Sequence, residues 1–133
     1  MSKQQARTWT RGAAVSFAFG LVAGFTVWSA SSRLTGHQEP WDGDTGFYYW
    51  YLLGVGVVAG LVIPRSFWAC PSGIYVGQAV AMLALLQVGS LAPLGLILAL
   101  PIMSIVCLVG WCLGAALHRL TAMAYSRASQ PTK

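Results

Sequence analysis

The residues from Ser66 to Leu117 include no lysine, arginine, aspartate or glutamate. About a quarter of the residues in a soluble domain are charged, so this run of 52 residues does not fit a water-facing surface. A helix that crosses a bilayer needs about 20 apolar residues, which makes the run long enough for two crossings with a turn between them. The whole chain is 56% hydrophobic and 8% charged. The sequence therefore predicts an all-α membrane protein that crosses the bilayer several times.

Four apolar segments predict a bundle of four transmembrane helices within residues 12–117, flanked by a basic N-terminal segment (1–11) and a basic tail (118–133). Pro101 lies inside the last segment and should kink it, because proline lacks a backbone donor and crowds the preceding turn. A cleaved signal peptide is the alternative for the first segment, but its apolar stretch is longer than the usual 7 to 15 residues. The predicted spans are 12–30, 47–63, 72–89 and 94–117.

The positive charges predict the orientation. With four spans, Arg33 is the one basic residue on the side of the 31–46 loop. Basic segments stay in the cytoplasm, so both termini should be cytoplasmic and the 31–46 loop should face outward, with the bacterial inner (plasma) membrane as the expected location. The other seven basic residues fall on the cytoplasmic side: Lys3, Arg7, Arg11, Arg65, Arg119, Arg127 and Lys133.

All three acidic residues of the chain lie between positions 39 and 44, and five consecutive aromatic residues, Phe47–Tyr51, follow. Amphipathic rings favour the headgroup level of a bilayer, so these rings should mark the outer interface. Trp28 should lie at the same outer level, and Trp111 near the cytoplasmic interface. The aromatic residues are thus expected to form two belts.

The acidic loop has two interpretations. Trp41, Asp42 and Asp44 can form an outward docking surface, because an exposed tryptophan between carboxylates suits a protein interface. Alternatively, Asp44 or Thr45 only caps the second helix. A calcium site is less favoured, since the loop lacks the further ligands of an EF-hand.

Each predicted span contains one GxxxG motif. Residues four apart share a helix face, and small residues there allow two helix backbones to approach closely in lipid. We favour packing within one chain, while contacts with other subunits or with a second copy remain the alternative. The glycines expected to mediate helix packing are Gly20, Gly24, Gly56, Gly60, Gly73, Gly77, Gly110 and Gly114.

Gln78 and Gln87 are the strongest polar groups within the spans. Gln78 directly follows Gly77, so a helix packed on that glycine can reach its amide. We interpret Gln78 as an intramembrane polar contact between helices, with a solute path as the alternative. No ionisable side chain lies deep in a span, which argues against proton-coupled transport.

The cysteines and histidines do not predict a cofactor or metal site. Cys107 and Cys112 do not share a helix face, and no CxxC motif occurs, so the three cysteines, Cys70 included, are interpreted as small apolar packing residues. A thiol oxidoreductase needs a close pair of thiols, and none is expected. His37 and His118 belong to opposite membrane faces and cannot bind one haem.

The chain contains no GxSxG, HExxH or P-loop motif, so no enzymatic activity is expected. The motifs of small multidrug exporters, fluoride channels and holins, which share this size, are missing. The thinly spread basic residues do not predict nucleic-acid binding. The expected partners are the lipid bilayer and other membrane subunits or a second copy. We expect an accessory, assembly or interaction subunit of a membrane complex, or alternatively an oligomeric passive channel or facilitator for a small solute.

Overall fold

A computed structural model describes residues 3–36, 46–64, 66–85 and 95–128. These residues form four α-helices, and no strand occurs in the described ranges, so the predicted all-α class is confirmed. The helices are α1 (Lys3–Thr35), α2 (Phe47–Val62), α3 (Ala69–Leu85) and α4 (Leu100–Ala128), and a π-helical turn (Gly95–Ala99) leads directly into α4.

Helix α2 begins after Gly46, which occupies the N-cap position with φ 63°, in the left-handed region that glycine adopts without strain. Its carbonyl oxygen accepts hydrogen bonds from the amides of Tyr49 (3.1 Å) and Trp50 (3.3 Å). Among the described residues, no side chain caps this end of the helix. Asp44 and Thr45, the residues predicted to cap it, lie outside the described ranges.

The irregularity expected at Pro101 takes the form of the π-helical turn that precedes it. The proline ring crowds the carbonyl group four residues earlier, at Ile97, and the wider π turn provides room there. Helix α4 then continues past position 117, the predicted end of the last span, to Ala128.

Helix α1 packs chiefly on α3. A Cβ atom added at Gly20 would meet the backbone of Cys70 and Ile74, and one added at Gly24 would meet Ile74 and Gln78. Residue numbers rise together along both helices, so α1 and α3 are parallel. Their glycines interlock, because Gly73 and Gly77 of α3 lie in the same way against the backbone of α1 between Phe17 and Phe25.

Helix α2 packs chiefly on α4 in the same manner. A Cβ atom at Gly56 would meet Cys107 and Trp111, and one at Gly60 would meet Trp111 and Ala115, so these two helices are also parallel. Gly110 and Gly114 of α4 lie against the α2 backbone between Leu53 and Leu61. The bundle thus consists of two glycine-packed pairs, the α1–α3 pair and the α2–α4 pair.

The two pairs run in opposite directions. Gly12 of α1 lies against Ile63, which follows α2, and the Tyr51 hydroxyl near the start of α2 donates to the Ala23 carbonyl oxygen farther along α1. We call the end at which α1 begins the terminal end, and the end at which α2 begins the loop end.

Two helical stretches are long and apolar enough to cross a membrane, Thr10–Ser31 and Ile97–Ala128. The apolar helices Phe47–Val62 and Ala69–Ala84 are shorter than this length. By length and composition, two of the four helices can therefore span a membrane.

Several polar side chains are buried in the core, whereas many large apolar side chains are exposed on the surface. Small and polar residues such as Ser16, Ser31 and Gln78 are buried. Trp28 and Trp111 are also buried, so their rings face the inside of the bundle rather than its surface. Large apolar side chains are exposed along every helix, among them Val22, Trp50, Val58, Val80, Leu83, Ile102, Ile105 and Leu113.

Candidate functional site

A cluster of polar side chains joins three helices in the core around Gln78 of α3. The Oε1 atom of Gln78 accepts a hydrogen bond from Trp28 Nε1 of α1 at 3.2 Å. It accepts a second hydrogen bond from the Tyr48 hydroxyl in the first turn of α2. All three side chains are buried. One carboxamide oxygen therefore links the α1–α3 pair to the α2–α4 pair.

The two donors fix the orientation of the Gln78 amide. An indole N–H can only donate, so the amide oxygen has to face Trp28, and the amide nitrogen points away from it. The Nε2 atom of Gln78 is buried and finds no acceptor among the residues that the structure describes. A buried donor without a partner costs roughly 1–3 kcal/mol. Gln78 thus has two N–H groups available for an acceptor.

The glycine contacts determine how Gln78 reaches the core. Gly77 lies against the α1 backbone at Leu21, and Gly24 of α1 lies against Ile74 and Gln78 in return. Because neither glycine carries a side chain, the α1 and α3 backbones meet directly beside Gln78. Its amide therefore lies within reach of Trp28, one turn beyond Gly24 on α1.

A second hydrogen bond joins the two pairs on the same side of the bundle. The Tyr51 hydroxyl donates to the Ala23 carbonyl oxygen at 3.2 Å. Tyr48 and Tyr51 lie three residues apart, so both face the core, whereas Phe47, Tyr49 and Trp50 are exposed. The aromatic run at the start of α2 therefore contributes two tyrosines to the contact with the α1–α3 pair.

Two thiols lie in contact between the same two pairs. The Sγ atoms of Cys70 on α3 and Cys107 on α4 are 3.8 Å apart, and both residues are fully buried. Cys112 is exposed and takes no part in this contact. The expectation that the chain has no close pair of thiols is therefore wrong.

The sequence contains a signal for this pair that the search for CxxC motifs does not detect. Cys70 stands three residues before Gly73, and Cys107 stands three residues before Gly110, so the pattern C-x-x-G-x-x-x-G occurs in both α3 and α4. A residue three before a packing glycine lies close to the same face of the helix. Both thiols are thereby directed toward the bundle interior.

The remaining candidate residues fall into two groups. Each of the eight glycines of the GxxxG motifs lies against the backbone of the partner helix within the chain. Trp41, Asp42 and Asp44, the predicted docking residues, lie outside the described residues, as does Gln87.

A half-open cavity of about 230 Å³ lies between α1 and α2 toward the terminal end. Val15, Phe19, Val58 and Val62 are among its lining residues, and the lining is apolar. The cavity exists because α1 and α2 follow each other in the chain but make few contacts, each being packed on another helix.

Comparison of the chain with protein-family models, with curated proteins and with solved structures finds no match. The geometry of the described residues is therefore the basis for a function.

Proposed function

We propose that the chain is a four-span membrane protein that acts as an accessory or interaction subunit of a membrane complex. The exposed apolar side chains on every helix support the membrane location, because soluble monomers rarely expose contiguous apolar patches of more than a few hundred Å². Helices α2 and α3 are short for a span, but each is packed in parallel on a longer helix, and a bilayer adapts to such a mismatch at modest cost.

The orientation follows from charge. The described residues Arg11, Arg119 and Arg127 belong to the terminal end, and the acidic 39–44 segment belongs to the sequence between α1 and α2. The positive-inside rule places the terminal end in the cytoplasm and the loop end outside. In this arrangement the inner membrane of a bacterium surrounds the bundle, and both termini are cytoplasmic.

The observation that carries the proposed function is the end of α4. Every residue from Ala116 to Ala128 is exposed, although this stretch is helical. About 20 residues of a helix cross the hydrocarbon core, so the helical stretch Ile97–Ala128, which ends with α4, extends past it by roughly 18 Å. Leu117, Leu120 and Met123 follow one another at intervals of three and thus share one face of this extension, which we call the α4 tail face.

An apolar helix face outside the hydrocarbon core is a docking surface for a partner. It suits a groove or a second helix, which contact residues at intervals of three and four. Trp41, Asp42 and Asp44 remain candidates for a second, outward contact. The partner of the α4 tail face is accordingly a cytoplasmic protein or the cytoplasmic part of another membrane subunit.

The alternative is a passive facilitator for a small solute. The observation that favours it is the Gln78 amide, whose Nε2 atom is buried without an acceptor among the described residues. Two observations oppose it. The eight glycines are all used within one chain, so they do not provide faces for an oligomeric pore, and Gln78 is fully enclosed.

Two experiments separate these functions. The first is co-purification after mild solubilisation of the double variant Leu120→Gln/Met123→Gln, with Ala122→Gln/Ser126→Gln on the opposite side of the same helix as the matched control. We expect both variants to insert and unfold like the wild type, and the first alone to lose a partner that co-purifies stoichiometrically. Retention of that partner by both variants would exclude the α4 tail face as its binding site.

The second experiment is solute flux through the pure protein in liposomes. We expect flux equal to that of empty liposomes for the wild type. A flux that Gln78→Leu abolishes would instead support the facilitator.

A further inference from the structure

The buried thiols of Cys70 and Cys107 occupy a special place in the fold. They lie on α3 and α4, which belong to different glycine-packed pairs, and their Sγ atoms are 3.8 Å apart. The backbone of Cys70 is the surface on which Gly20 packs, and the backbone of Cys107 is the surface on which Gly56 packs. Each thiol thus belongs to a residue whose backbone takes part in a close helix contact of its own pair.

Because the two cysteines are anchored in different helix pairs, a bond between their sulfurs would affect the contact between the pairs. Each cysteine is held by an interlocked helix pair, so neither can move far without its partner helix. The distance between the sulfurs is that of two thiols in contact, and formation of a disulfide of about 2.05 Å would bring them closer by roughly 1.8 Å. A covalent bond here would join the α1–α3 pair to the α2–α4 pair.

We propose that Cys70 and Cys107 form a redox site, which a small hydroperoxide oxidises to a disulfide that locks the two helix pairs together. One thiol attacks the peroxide, its S–O bond forms as the O–O bond breaks, and a sulfenic acid and water result. The second thiol then attacks the sulfenic sulfur, so that the S–S bond forms, the S–O bond breaks and a second water leaves. The two sulfurs lose two electrons in all, and these reduce the peroxide.

The burial of the pair selects the oxidant. Both cysteines are fully buried, so a glutathione disulfide or a protein disulfide cannot approach either sulfur in the packed bundle. Hydrogen peroxide is nearly as small as water and is uncharged, so transient separation of the two pairs suffices for its entry. The same burial protects the disulfide from soluble thiols once it has formed. Cys112 is exposed and lies on another face of α4, so it does not compete for either partner.

The test uses the full-length protein in lipid nanodiscs with hydrogen peroxide as the probe. After the peroxide is removed, the sample is denatured and its free thiols are labelled with a maleimide of high mass, which gives one gel shift per thiol. The wild type has three cysteines. We expect three labels before oxidation, one label after it, and three again when the denatured protein is treated with dithiothreitol before labelling.

The variant Cys112→Ser simplifies the result. We expect this variant to carry two labels before oxidation and none after it. Its mass should fall by that of two hydrogen atoms, and its digest should contain a peptide in which Cys70 and Cys107 are linked. We also expect its unfolding temperature to rise on oxidation. The single-thiol control Cys70→Ser/Cys112→Ser cannot form the disulfide, so we expect it to keep its label or to lose it only as a sulfenic acid, which dithiothreitol reverses.

Three outcomes would overturn the proposal. The folded Cys112→Ser protein could keep both labels while the denatured protein forms the disulfide. The label could disappear equally in the single-thiol control and resist dithiothreitol, which is the behaviour of sulfinic acid formation. The third outcome is that the oxidised Cys112→Ser protein yields no peptide in which Cys70 and Cys107 are linked. This result refutes the redox site even if the single-thiol control does not fold.

Discussion

Replacing Gly56 by alanine would place a methyl group where α2 meets the backbone of α4. The new Cβ atom would lie 2.8 Å from the Trp111 amide nitrogen and closer still to the Cys107 carbonyl oxygen, whereas ordinary contact begins near 3.4 Å. Both neighbouring atoms belong to the backbone, so a change of rotamer cannot relieve the overlap. The two helices must therefore separate by roughly 1 Å.

The loss of stability caused by Gly56→Ala follows from this separation. A gap of about 0.5–1 Å removes a quarter to a half of the dispersion attraction between facing atoms, and overpacking of a close contact costs about 1–3 kcal/mol. The better helix propensity of alanine returns up to about 1 kcal/mol. We expect Gly56→Ala to destabilise the bundle by about 1–2 kcal/mol.

Gly54 supplies the matched control on the same helix. It is exposed, and a Cβ atom there would meet no atom within 4 Å. Gly54→Ala should therefore show only the propensity effect, a gain of about 0.5–1 kcal/mol. The two variants should differ by about 1.5–3 kcal/mol, which corresponds to a difference of about 10- to 150-fold in the unfolding equilibrium constant.

The assay is reversible unfolding of both variants in mixed micelles, followed by tryptophan fluorescence at increasing fractions of denaturing detergent. We expect the midpoint of Gly56→Ala below, and that of Gly54→Ala at or above, the wild-type midpoint. Equal midpoints for the two variants would show that the α2–α4 glycine contact does not determine stability.

Three further predictions concern the polar cluster and the loop. A double-mutant cycle of Tyr48→Phe and Gln78→Met should give a coupling of about 0.5–1.5 kcal/mol in the same unfolding assay, and no coupling would contradict the hydrogen bond between them. A cysteine at Gly43 should react with an impermeant maleimide in intact cells and one at Ser129 should not, whereas labelling of both would refute the proposed orientation. Trp41→Ala/Asp42→Ala should unfold like the wild type but lose an outward partner in co-purification, and unchanged partners would leave this segment without a docking role.

The helices themselves could be predicted from the sequence because apolar length is a local property. The predicted 47–63 segment and α2 (Phe47–Val62) have nearly the same bounds, and a π-helical turn lies just before Pro101, where a kink was expected. The extent of α4 could not be predicted, because the polar residues that follow Leu117 ended the apolar segment without ending the helix. Helix formation and membrane insertion are different properties, and hydropathy reports the second.

The arrangement of the helices could not be read from the motifs alone. Four GxxxG motifs allow several pairings, and each motif is compatible with any of the others. Their spacing contains further information: Gly73 follows Gly20 by 53 residues, and Gly110 follows Gly56 by 54. This near-constant interval relates the first two helices to the last two, and the structure pairs the related helices with each other.

The polar cluster shows a second limit of prediction from the sequence. Gln78 was recognisable, since a glutamine among apolar residues needs a partner. Its partners were not, because a tryptophan or tyrosine near a helix end suits the membrane interface and the core equally well. Trp28 and Tyr48 face inward only because their helices are rotated by the glycine contacts, and that rotation is a tertiary property.

The pairing of helices also predicts how the bundle assembles. Neighbours in sequence, α1 with α2 and α3 with α4, do not share glycine contacts, whereas α1 with α3 and α2 with α4 do. Neither hairpin can therefore form its glycine contacts before the other hairpin is present. Loop closure contributes little to such a structure, since each doubling of loop length costs only about 0.6 kcal/mol.

A chain divided between Pro64 and Arg65 should consequently recover the bundle from its two fragments. Each fragment contains one complete hairpin, and the two glycine-packed helix contacts needed for assembly both lie between the fragments rather than within them. We expect fragments 1–64 and 65–133 to co-purify when they are expressed together, and to be degraded or aggregated when each is expressed alone. In the same experiment, Gly56→Ala in the first fragment should reduce co-purification and Gly54→Ala should not. Stable, monomeric fragments that do not associate would show that the hairpins fold independently and that the glycine contacts do not hold the two helices of each pair together.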